Sequence, residues 1–275
     1  MENPLIDGIA NLAKQCGVRV AAVCNWEWTC PLELSWLRDV DLMICPTLHA
    51  LRIMNDWKLR YGFAWQVLMV PWPIDVARFK FRLRTRCEKF VFVNGTGGVR
   101  ARRGDGSLTD YRRKGVEIVF AAARGAADVP IIVYSQTTDI PSPPPNVEVR
   151  QPPSDNRLLY NDGDVCVQPS HWEGVGMQLL ECQAAGMPLV TTDAAPMNEH
   201  QPLVAMPVRG RESVQLVGRA WFESCQVDPA DLAGAMRQLK GKDIGRESQK
   251  ARQFIEQSHC WDSARRRLCQ AMVVS

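Results

Sequence analysis

Two glutamates flank a glycine-containing turn in the second half of the chain, and their spacing suggests chemistry. Glu173 stands just before the turn, and Glu181 follows eight residues later inside a helical pattern. An apolar strand pattern, DVCVQ, precedes the turn. The backbone amides at the start of the helix would face a cleft at the strand ends, where an open α/β sheet binds an anionic ligand. We therefore predict one carboxylate at the mouth of that cleft and the other deeper.

The stretch around these glutamates resembles the P-S-x-x-E-G-x-G-x-x-x-x-E-A-x-A-x-G-x-P-V-V signature of the retaining GT-B glycosyltransferases of family 4. The matching residues are Pro169, Ser170, Glu173, Gly174, Gly176, Glu181, Ala184 or Ala185, Gly186 and Pro188. Cys182 replaces the usual alanine. A lone Gly-x-Gly often only packs a helix on a strand, whereas this whole spacing is specific. The resemblance implies that Glu173 contacts a donor sugar and that Glu181 holds the ribose hydroxyls of its nucleotide.

A basic turn carries the second part of the resemblance. In the family, a glycine-rich loop after the first strand of the donor-binding half leads to a basic residue before a glycine, and Arg113, Lys114 and Gly115 match it. Two cations at the start of a helix would neutralise a departing diphosphate. The resemblance therefore implies Glu173, Lys114 and Arg113 as catalytic residues. The donor-binding residues that it implies are Gly97, Gly98, Ser170, His171, Gly174, Val175, Gly176, Met177 and Glu181.

Residues 99–112 depart from the family pattern because they form a longer and more basic insertion. Two interpretations stay open. Arg100, Arg102 or Arg103 either reaches the phosphates of the donor or belongs to a solvated, charged loop. The interpretation of His171 is equally open, since it lies in the motif either as a group that orients a substrate or without a role in the cleft.

Short apolar runs alternate with helical patterns along the chain, which is typical of an α/β protein with parallel strands. The predicted strands lie at 18–24, 41–45, 65–71, 90–94, 130–135, 146–151, 164–169 and 187–192. The predicted helices lie at 47–62, 113–126, 154–162 and 176–186, and the chain beyond 210 is predicted to be mostly helical. The resemblance implies a GT-B-like fold with two Rossmann-like lobes, the N-terminal one reduced and the C-terminal one a complete donor-binding domain.

The resemblance also implies a division of the chain. It gives an abbreviated acceptor-side lobe at 1–85, a donor-binding domain at 86–255, and a C-terminal helix at 256–275 that packs back on the N-terminal lobe. Residues 1–85 are similar only to the last part of the family's N-terminal half, without its glycine-rich acceptor loop. Either the chain is a minimal transferase, or another chain supplies part of the acceptor site.

The implied reaction moves a sugar from a nucleoside-diphosphate sugar to a hydroxyl, with retention of the anomeric configuration. The family's front-face mechanism lets the leaving phosphate help to deprotonate the acceptor, so it needs no metal, no bound cofactor and no protein nucleophile. A UDP-sugar is the default co-substrate.

The acceptor is predicted from the remaining residues. Residues 79–114 are rich in Lys and Arg against only three acids, and such a patch can follow phosphates. Six of the nine tryptophans precede residue 73, and such rings suit an extruded nucleobase, a sugar or an ordinary core. The candidates on the acceptor side are Trp26, Trp28, His49 and Arg100, with a place in or beside the core as the alternative for His49.

Three functions compete. The favoured acceptor is DNA that carries hydroxymethylated bases, of the kind that viral glucosyltransferases modify. The alternative acceptor is a lipid-linked or cell-surface glycan, with the basic patch facing anionic lipid. A function of another class is an inactive, donor-binding subunit that completes a partner's acceptor site.

The composition excludes several other classes of protein. The chain is 46% hydrophobic and 23% charged with a formal net charge of +3, which is ordinary for a globular protein. No apolar run is long enough to span a bilayer, and the N-terminus lacks the pattern of a secretion signal, so we expect a cytoplasmic protein. The ten cysteines contain no C-x-x-C pair and several lie in apolar runs, which predicts reduced thiols and no zinc site. The sequence does not predict an oligomeric state.

Overall fold

The computed structural model describes residues 8–23, 25–32, 34–216 and 218–273. The strands are β1 (Ala21–Val23), β2 (Leu42–Cys45), β3 (Gln66–Met69), β4 (Phe90–Gly95), β5 (Val99–Arg103), β6 (Leu108–Tyr111), β7 (Ile131–Ser135), β8 (Val147–Arg150), β9 (Val165–Gln168), β10 (Leu189–Thr192), β11 (Val204–Met206), β12 (Val208–Leu216) and β13 (Trp221–Val227). The α-helices are α1 (Ile9–Gln15), α2 (Leu48–Tyr61), α3 (Val116–Gly125), α4 (Met177–Ala184), α5 (Pro229–Leu239), α6 (Gly245–Ser258) and α7 (Trp261–Val273).

Six parallel strands form the central sheet of the larger lobe, in the order β11-β10-β9-β4-β7-β8. Most of their Val, Ile and Phe residues are buried, as expected for a parallel sheet covered on both faces. The chain moves from β4 to β7 and β8 on one side, and then through β9 to β10 and β11 on the other. The winding therefore reverses between β4 and β9. The carboxyl ends of these two neighbouring strands form the crevice in which such sheets bind ligands.

The smaller lobe contains three parallel strands in the order β1-β2-β3, with α2 between the second and the third. Thr47 begins α2 by accepting a hydrogen bond from the amide of Ala50, and Gly62 ends it in a left-handed conformation. The two lobes confirm the expected GT-B-like α/β fold with a reduced N-terminal lobe. The predicted helix at 154–162 is only a 3-10 helix, Asn156–Tyr160.

A third sheet corrects one sequence-based prediction and gives residues 99–112 a regular structure. It is antiparallel, in the order β13-β12-β5-β6. The prediction of mostly helix beyond 210 is therefore wrong for β12 and β13. Residues 99–112, for which a solvated loop was one of two open interpretations, largely form the hairpin of β5 and β6. The sequence pattern does not indicate these strands, because their outward side chains are charged and because β12 pairs with the distant β5. Their buried side chains, such as Tyr111 and Val214, share one core with Trp26 and Trp65 of the small lobe.

The lobes are also joined by a carboxylate. Glu199, in the 3-10 helix Met197–His200, accepts hydrogen bonds from the amides of Leu48 at 2.7 Å and His49 at 2.8 Å. Both amides lie in the first turn of α2, where intrahelical partners are missing. A carboxylate at that end of a helix is also favoured by the helix dipole.

Replacement of Glu199 by alanine should therefore lower the free energy of unfolding by about 1–2 kcal/mol, since two first-turn amides lose their acceptor. Chemical denaturation measures the loss. The matched control is Glu88→Ala, because the side chain of Glu88 forms an ion pair with the exposed Arg86 at the surface and with no other described residue. Equal stability of the two variants would show that Glu199 does not hold the lobes together.

The segment that follows β3 and leads into the larger lobe lies beside the C-terminal helices. The amide of Ile74 donates to the carbonyl of His259 at 2.6 Å, and Arg267 of α7 lies 3.5 Å from the carbonyl of Met69 at the end of β3. These contacts are compatible with the predicted C-terminal helix on the small lobe, while the division at residues 85 and 255 stays a prediction. Within the described ranges, no helix combines the length and the apolar character that a membrane span requires.

Candidate active site

Two turns meet in the crevice between β4 and β9. One leads into α3 and carries Arg113 and Lys114, and the other leads into α4 and carries Ser170 and Glu173. The amide of His171 donates to the carbonyl of Arg113 at 2.8 Å, which joins the turns. Gly115 makes the close approach possible, because its φ is 80° and a Cβ there would lie 2.6 Å from the carbonyl oxygen of Pro169. The R-K-G pattern and the P-S-x-x-E pattern are thus parts of one site.

Glu173 lies at the centre of the site and is only 2% exposed. Its Oε1 accepts hydrogen bonds from Lys114 Nζ at 2.6 Å and Ser170 Oγ at 2.7 Å. Gln178 Nε2 donates to the same oxygen at 2.6 Å, and Arg113 Nη1 lies 3.6 Å from Oε2. The carboxylate is therefore held rigidly between two cations. The sequence singled out all of these residues except Gln178.

Burial and charge oppose each other in this cluster. Burial alone would raise the pKa of Glu173, but the cations of Lys114 and Arg113 outweigh it and lower that pKa below its usual value. Burial lowers the pKa of Lys114 to about 8, although the carboxylate of Glu173 works against this change. Both side chains are therefore charged at neutral pH. Lys114 loses its proton at a pH only slightly above neutral.

Glu27 is a site residue that the sequence did not single out. It belongs to the 3-10 helix Trp26–Trp28 of the small lobe and is 4% exposed. Its Oε1 lies 3.6 Å from Arg113 Nη1, so Arg113 stands between the carboxylates of Glu27 and Glu173. Burial raises the pKa of Glu27 to about 7, although the charge of Arg113 partly offsets this. A charged residue inside the tryptophan-rich run Asn25–Trp28 was the only sequence signal for it.

Gly174 makes room for Glu27. A Cβ at this position would overlap the Glu27 carboxyl group, so only glycine lets the small lobe approach this closely. The glycine that follows, Gly176, has a different task. Its φ is 77° at the start of α4, and a Cβ there would lie 2.6 Å from Leu179 Cδ1. The Gly-x-Gly of the motif thus serves one contact between the lobes and one helix start.

An open cavity of about 380 Å³ lies over these groups. Its walls include both turns, the start of α4 and the small lobe. The residues that line it are Asn25, Glu27, Trp28, Trp72, Arg113, Lys114, Glu173, Gly174, Val175, Gly176, Met177 and Gln178. The amides at the start of α4 and the two cations provide the environment that a diphosphate requires. The carbonyl of Val175 is held by Nε2 of the buried His200 at 2.8 Å.

Glu181 lies on α4 and does not line this cavity, so its contact with the ribose stays a prediction. Its Oε2 accepts a hydrogen bond from the hydroxyl of Tyr160 at 3.0 Å. Burial raises the pKa of Glu181, while that hydrogen bond and the charge of Arg78 work in the opposite direction.

The structure does not bring every predicted donor-binding residue to the cavity. Gly97 and Gly98 follow β4 but are not part of its lining; a Cβ on Gly97 would meet Thr137. The ring of His171 points to the far side of its turn, with Nδ1 2.8 Å from the carbonyl of Cys225 and Nε2 3.3 Å from Glu117. The predicted role of His171 in the donor cleft therefore has no support from its geometry.

The four candidate residues for the acceptor side lie in different parts of the structure. Trp28 lines the cavity of Glu173, whereas Arg100 lies on β5 and lines neither cavity. Trp26 and His49 pack edge to face, with ring centroids 4.9 Å apart, beside a second cavity of about 580 Å³ between α2 and the hairpin of β12 and β13. The other rings that line this second cavity belong to Trp57, His171, Trp172, Trp221 and Phe222. Burial lowers the pKa of His49 to about 4, so that ring is neutral.

The basic stretch 79–114 does not form one continuous cationic surface. Arg84 is 1% exposed and donates to the carbonyls of Tyr160 and Ala185, among others, so it supports the fold from inside. Acidic side chains neutralise several of the others. These ion pairs are Arg82 with Asp164, Arg86 with Glu88, Arg103 with Glu212 and Arg112 with Asp139. The number of Lys and Arg residues in this stretch overstated the positive potential at the surface. Acidic residues from distant segments of the chain pair with several of these cations.

Residues 146–201 match the sequence profile of the family Glycosyl transferases group 1. The matched span contains the whole motif from Pro169 to Pro188. It is less than half of the chain. No curated protein sequence matches the chain.

Several solved structures share the fold. The GtfA/B complex superposes with a TM-score of 0.67 at 14% identity, over 96% of this chain and 55% of that chain. The pneumococcal O-GlcNAc transferase GtfA, solved with UDP and GlcNAc, superposes with a TM-score of 0.58 at 11% identity, over 94% and 52%. HepE of Anabaena, solved with UDP, has a TM-score of 0.66 at 12% identity, over 97% and 75%. The chain thus spans about half the length of the first two structures.

Proposed function

We propose that this chain is a glycosyltransferase that moves a sugar from a nucleoside-diphosphate sugar to an acceptor hydroxyl, with retention. The observation that carries the proposal is the buried cluster of Glu173, Lys114 and Arg113 at the point where the winding of the sheet reverses. Such a cluster, with helix amides beside it, suits a ligand that combines a diphosphate with a polar ring. The match of residues 146–201 to a glycosyltransferase family supports the same class of reaction.

The residues have complementary tasks in this proposal. The bond between the anomeric carbon and the phosphate oxygen breaks, and its electron pair leaves with the phosphate. Arg113, Lys114 and the first amides of α4 stabilise that negative charge, and they need little reorganisation because the fold already holds them. Glu173 holds the cations in place and accepts hydrogen bonds from hydroxyls of the donor sugar. A UDP-sugar is the proposed co-substrate, supported by structural neighbours that were solved with UDP.

The proposed acceptor is a hydroxymethylated base in DNA. The ring of Trp28 supports it, because this indole lines the cavity of Glu173 and an aromatic face suits a planar base. The neutralised arginines favour a lipid-linked or cell-surface glycan instead, since a patch that follows phosphates needs cations without partners.

A function of another class is a donor-binding subunit without turnover. Its support is the reduced small lobe, together with a structural neighbour that is a complex, GtfA/B. The complete set of ionised groups around Glu173 favours an active enzyme over an inactive subunit. A cytoplasmic location belongs to the same proposal.

We expect the purified protein to release nucleoside diphosphate slowly from at least one of UDP-, GDP- and ADP-glucose, with water as the acceptor. Addition of duplex DNA that contains hydroxymethylcytosine should raise the rate, and unmodified duplex of the same sequence should not. Transfer of labelled sugar to a lipid or glycan extract, with none to the modified DNA, would replace the DNA acceptor by a glycan. Tight UDP binding without turnover for any acceptor would favour the inactive subunit.

A further inference from the structure

Glu27 is the ionisable group of the cavity to which the proposed reaction gives no task. It reaches the cavity from the small lobe, opposite the two turns that hold the donor-side residues. A carboxyl group that is 4% exposed requires hydrogen bonds or a cation to offset the loss of water. The fold supplies only a part of this.

The carboxyl group of Glu27 keeps unused hydrogen-bonding capacity. Arg113 lies 3.6 Å from its Oε1, whereas Oε2 has no hydrogen-bond partner among the residues that the structure describes. The neighbouring Glu173, in contrast, accepts three hydrogen bonds on a single oxygen. Glu27 therefore keeps a carboxyl oxygen that can accept a hydrogen bond from a substrate.

The surroundings of Glu27 are built for a carboxylate at this place. Gly174 lacks the Cβ that would exclude it, and Arg113 bridges it to Glu173. The charged groups that face it are Arg113 and Lys114 from the turn before α3, and Glu173 from the turn before α4. This set leaves Glu27 able to change its charge near neutral pH, in keeping with the raised pKa of about 7.

We propose that Glu27 is a catalytic residue that binds the acceptor hydroxyl beside the donor sugar and takes up its proton during transfer. The inference rests on the proposed glycosyltransferase function. The O–H bond of the acceptor breaks and its proton passes to the Glu27 carboxylate. The acceptor oxygen forms a bond to the anomeric carbon, and the bond from that carbon to the phosphate oxygen breaks. The released electron pair stays on the diphosphate, next to Arg113 and Lys114, and the proton later leaves Glu27 for solvent.

The test compares Glu27→Gln and Glu27→Asp with the wild-type protein, using hydrolysis of the nucleotide glucose that the wild-type protein turns over. Glutamine has the shape of glutamate but cannot take up the proton, so kcat should fall about 100-fold or more. Affinity for UDP, measured by calorimetry, should stay unchanged because the donor-side cations are intact. Glu27→Asp keeps a carboxylate but places it one methylene farther from the substrate. Its kcat should therefore lie between that of Glu27→Gln and that of the wild-type protein.

The pH profile separates a proton acceptor from a structural role. Wild-type kcat should rise as pH increases through the pKa of Glu27 and fall as Lys114 loses its proton at higher pH. Glu27→Gln should lose the rise on the acid side and keep the fall. Glu27→Asp should keep both. The surface variant Glu88→Gln serves as the control and should follow the wild-type profile.

Three results would overturn the inference, and they differ from one another. If Glu27→Gln keeps the wild-type kcat and the acid-side rise, the leaving phosphate takes the proton and Glu27 does not, while the glycosyltransferase proposal stands. If the wild-type protein neither binds UDP nor hydrolyses any of the nucleotide sugars, both proposals fall. Loss of UDP binding in Glu27→Gln with a lowered melting temperature assigns Glu27 to the fold and overturns its catalytic role.

Discussion

Glu173→Ala should abolish donor turnover and lower the free energy of unfolding by about 3–5 kcal/mol, which is the usual cost of removing one partner of a buried ion pair. Lys114 Nζ lies 2.6 Å from the Glu173 carboxylate, and the side chains are 12% and 2% exposed. Without the carboxylate, the Lys114 ammonium keeps its desolvation cost and loses its nearest negative charge. Turnover is lost as well, because the cations that face the diphosphate lose the group that positions them.

The measurements for Glu173 are chemical denaturation and release of nucleoside diphosphate. Glu88→Ala is the matched control, and as a surface substitution it should change stability by no more than about 0.5 kcal/mol. Lys114→Met in the Glu173→Ala background should recover part of the stability, since it removes the unpaired charge, but none of the turnover. Wild-type turnover in Glu173→Ala would contradict the assignment of the active site.

Gly174→Ala should have the second-largest effect, although it adds a single methyl group. The new Cβ overlaps the Glu27 carboxyl group, so either Glu27 or the small lobe has to move. Forced overpacking of this kind costs about 1–3 kcal/mol of stability. The backbone of Gly174 does not have a positive φ, so the collision alone is responsible. Turnover should fall steeply because the two halves of the cavity no longer meet.

A matched glycine is available as a control. Gly234 lies inside α5, and a Cβ there would meet nothing within 4 Å, so Gly234→Ala should raise stability by about 0.4–1 kcal/mol. The double variant Gly174→Ala with Glu27→Ala tests the mechanism of the loss. It removes the group that collides, so it should regain stability relative to Gly174→Ala without regaining turnover. Additive losses in this cycle would show that the two residues do not touch.

The donor side of the site was readable from the sequence because it is local. Glu173, Gly176 and the start of α4 lie within one strand–turn–helix unit, whose geometry follows from the order of its elements. Most of the predicted strands of the parallel sheets were likewise apolar runs, and each predicted strand has a counterpart in the structure. Arg113 and Lys114 could be added because the resemblance covers their short R-K-G pattern.

The features that the sequence did not indicate depended on distant partners. Half-exposed strands such as β12 carry charged residues on their outer face, and their pairing with β5 cannot be seen in a short window. His171 lies inside the motif, yet its side chain turns to Cys225 and Glu117. In both cases a residue's neighbours in space, and not its neighbours in the chain, determine where its side chain points.

The sequence alone thus determined the parallel-sheet architecture and the donor-side motif, since apolar periodicity and strand–turn–helix order are properties of short segments. Only the tertiary structure decided which charges remain available for a ligand. Arg84 became an internal support, and several neighbouring arginines became ion pairs. Glu27 entered the active site from the other lobe, against the bare Cα of Gly174. Burial and charge pairing set the chemistry of an ionisable group, and both arise from contacts between segments that are far apart in the chain.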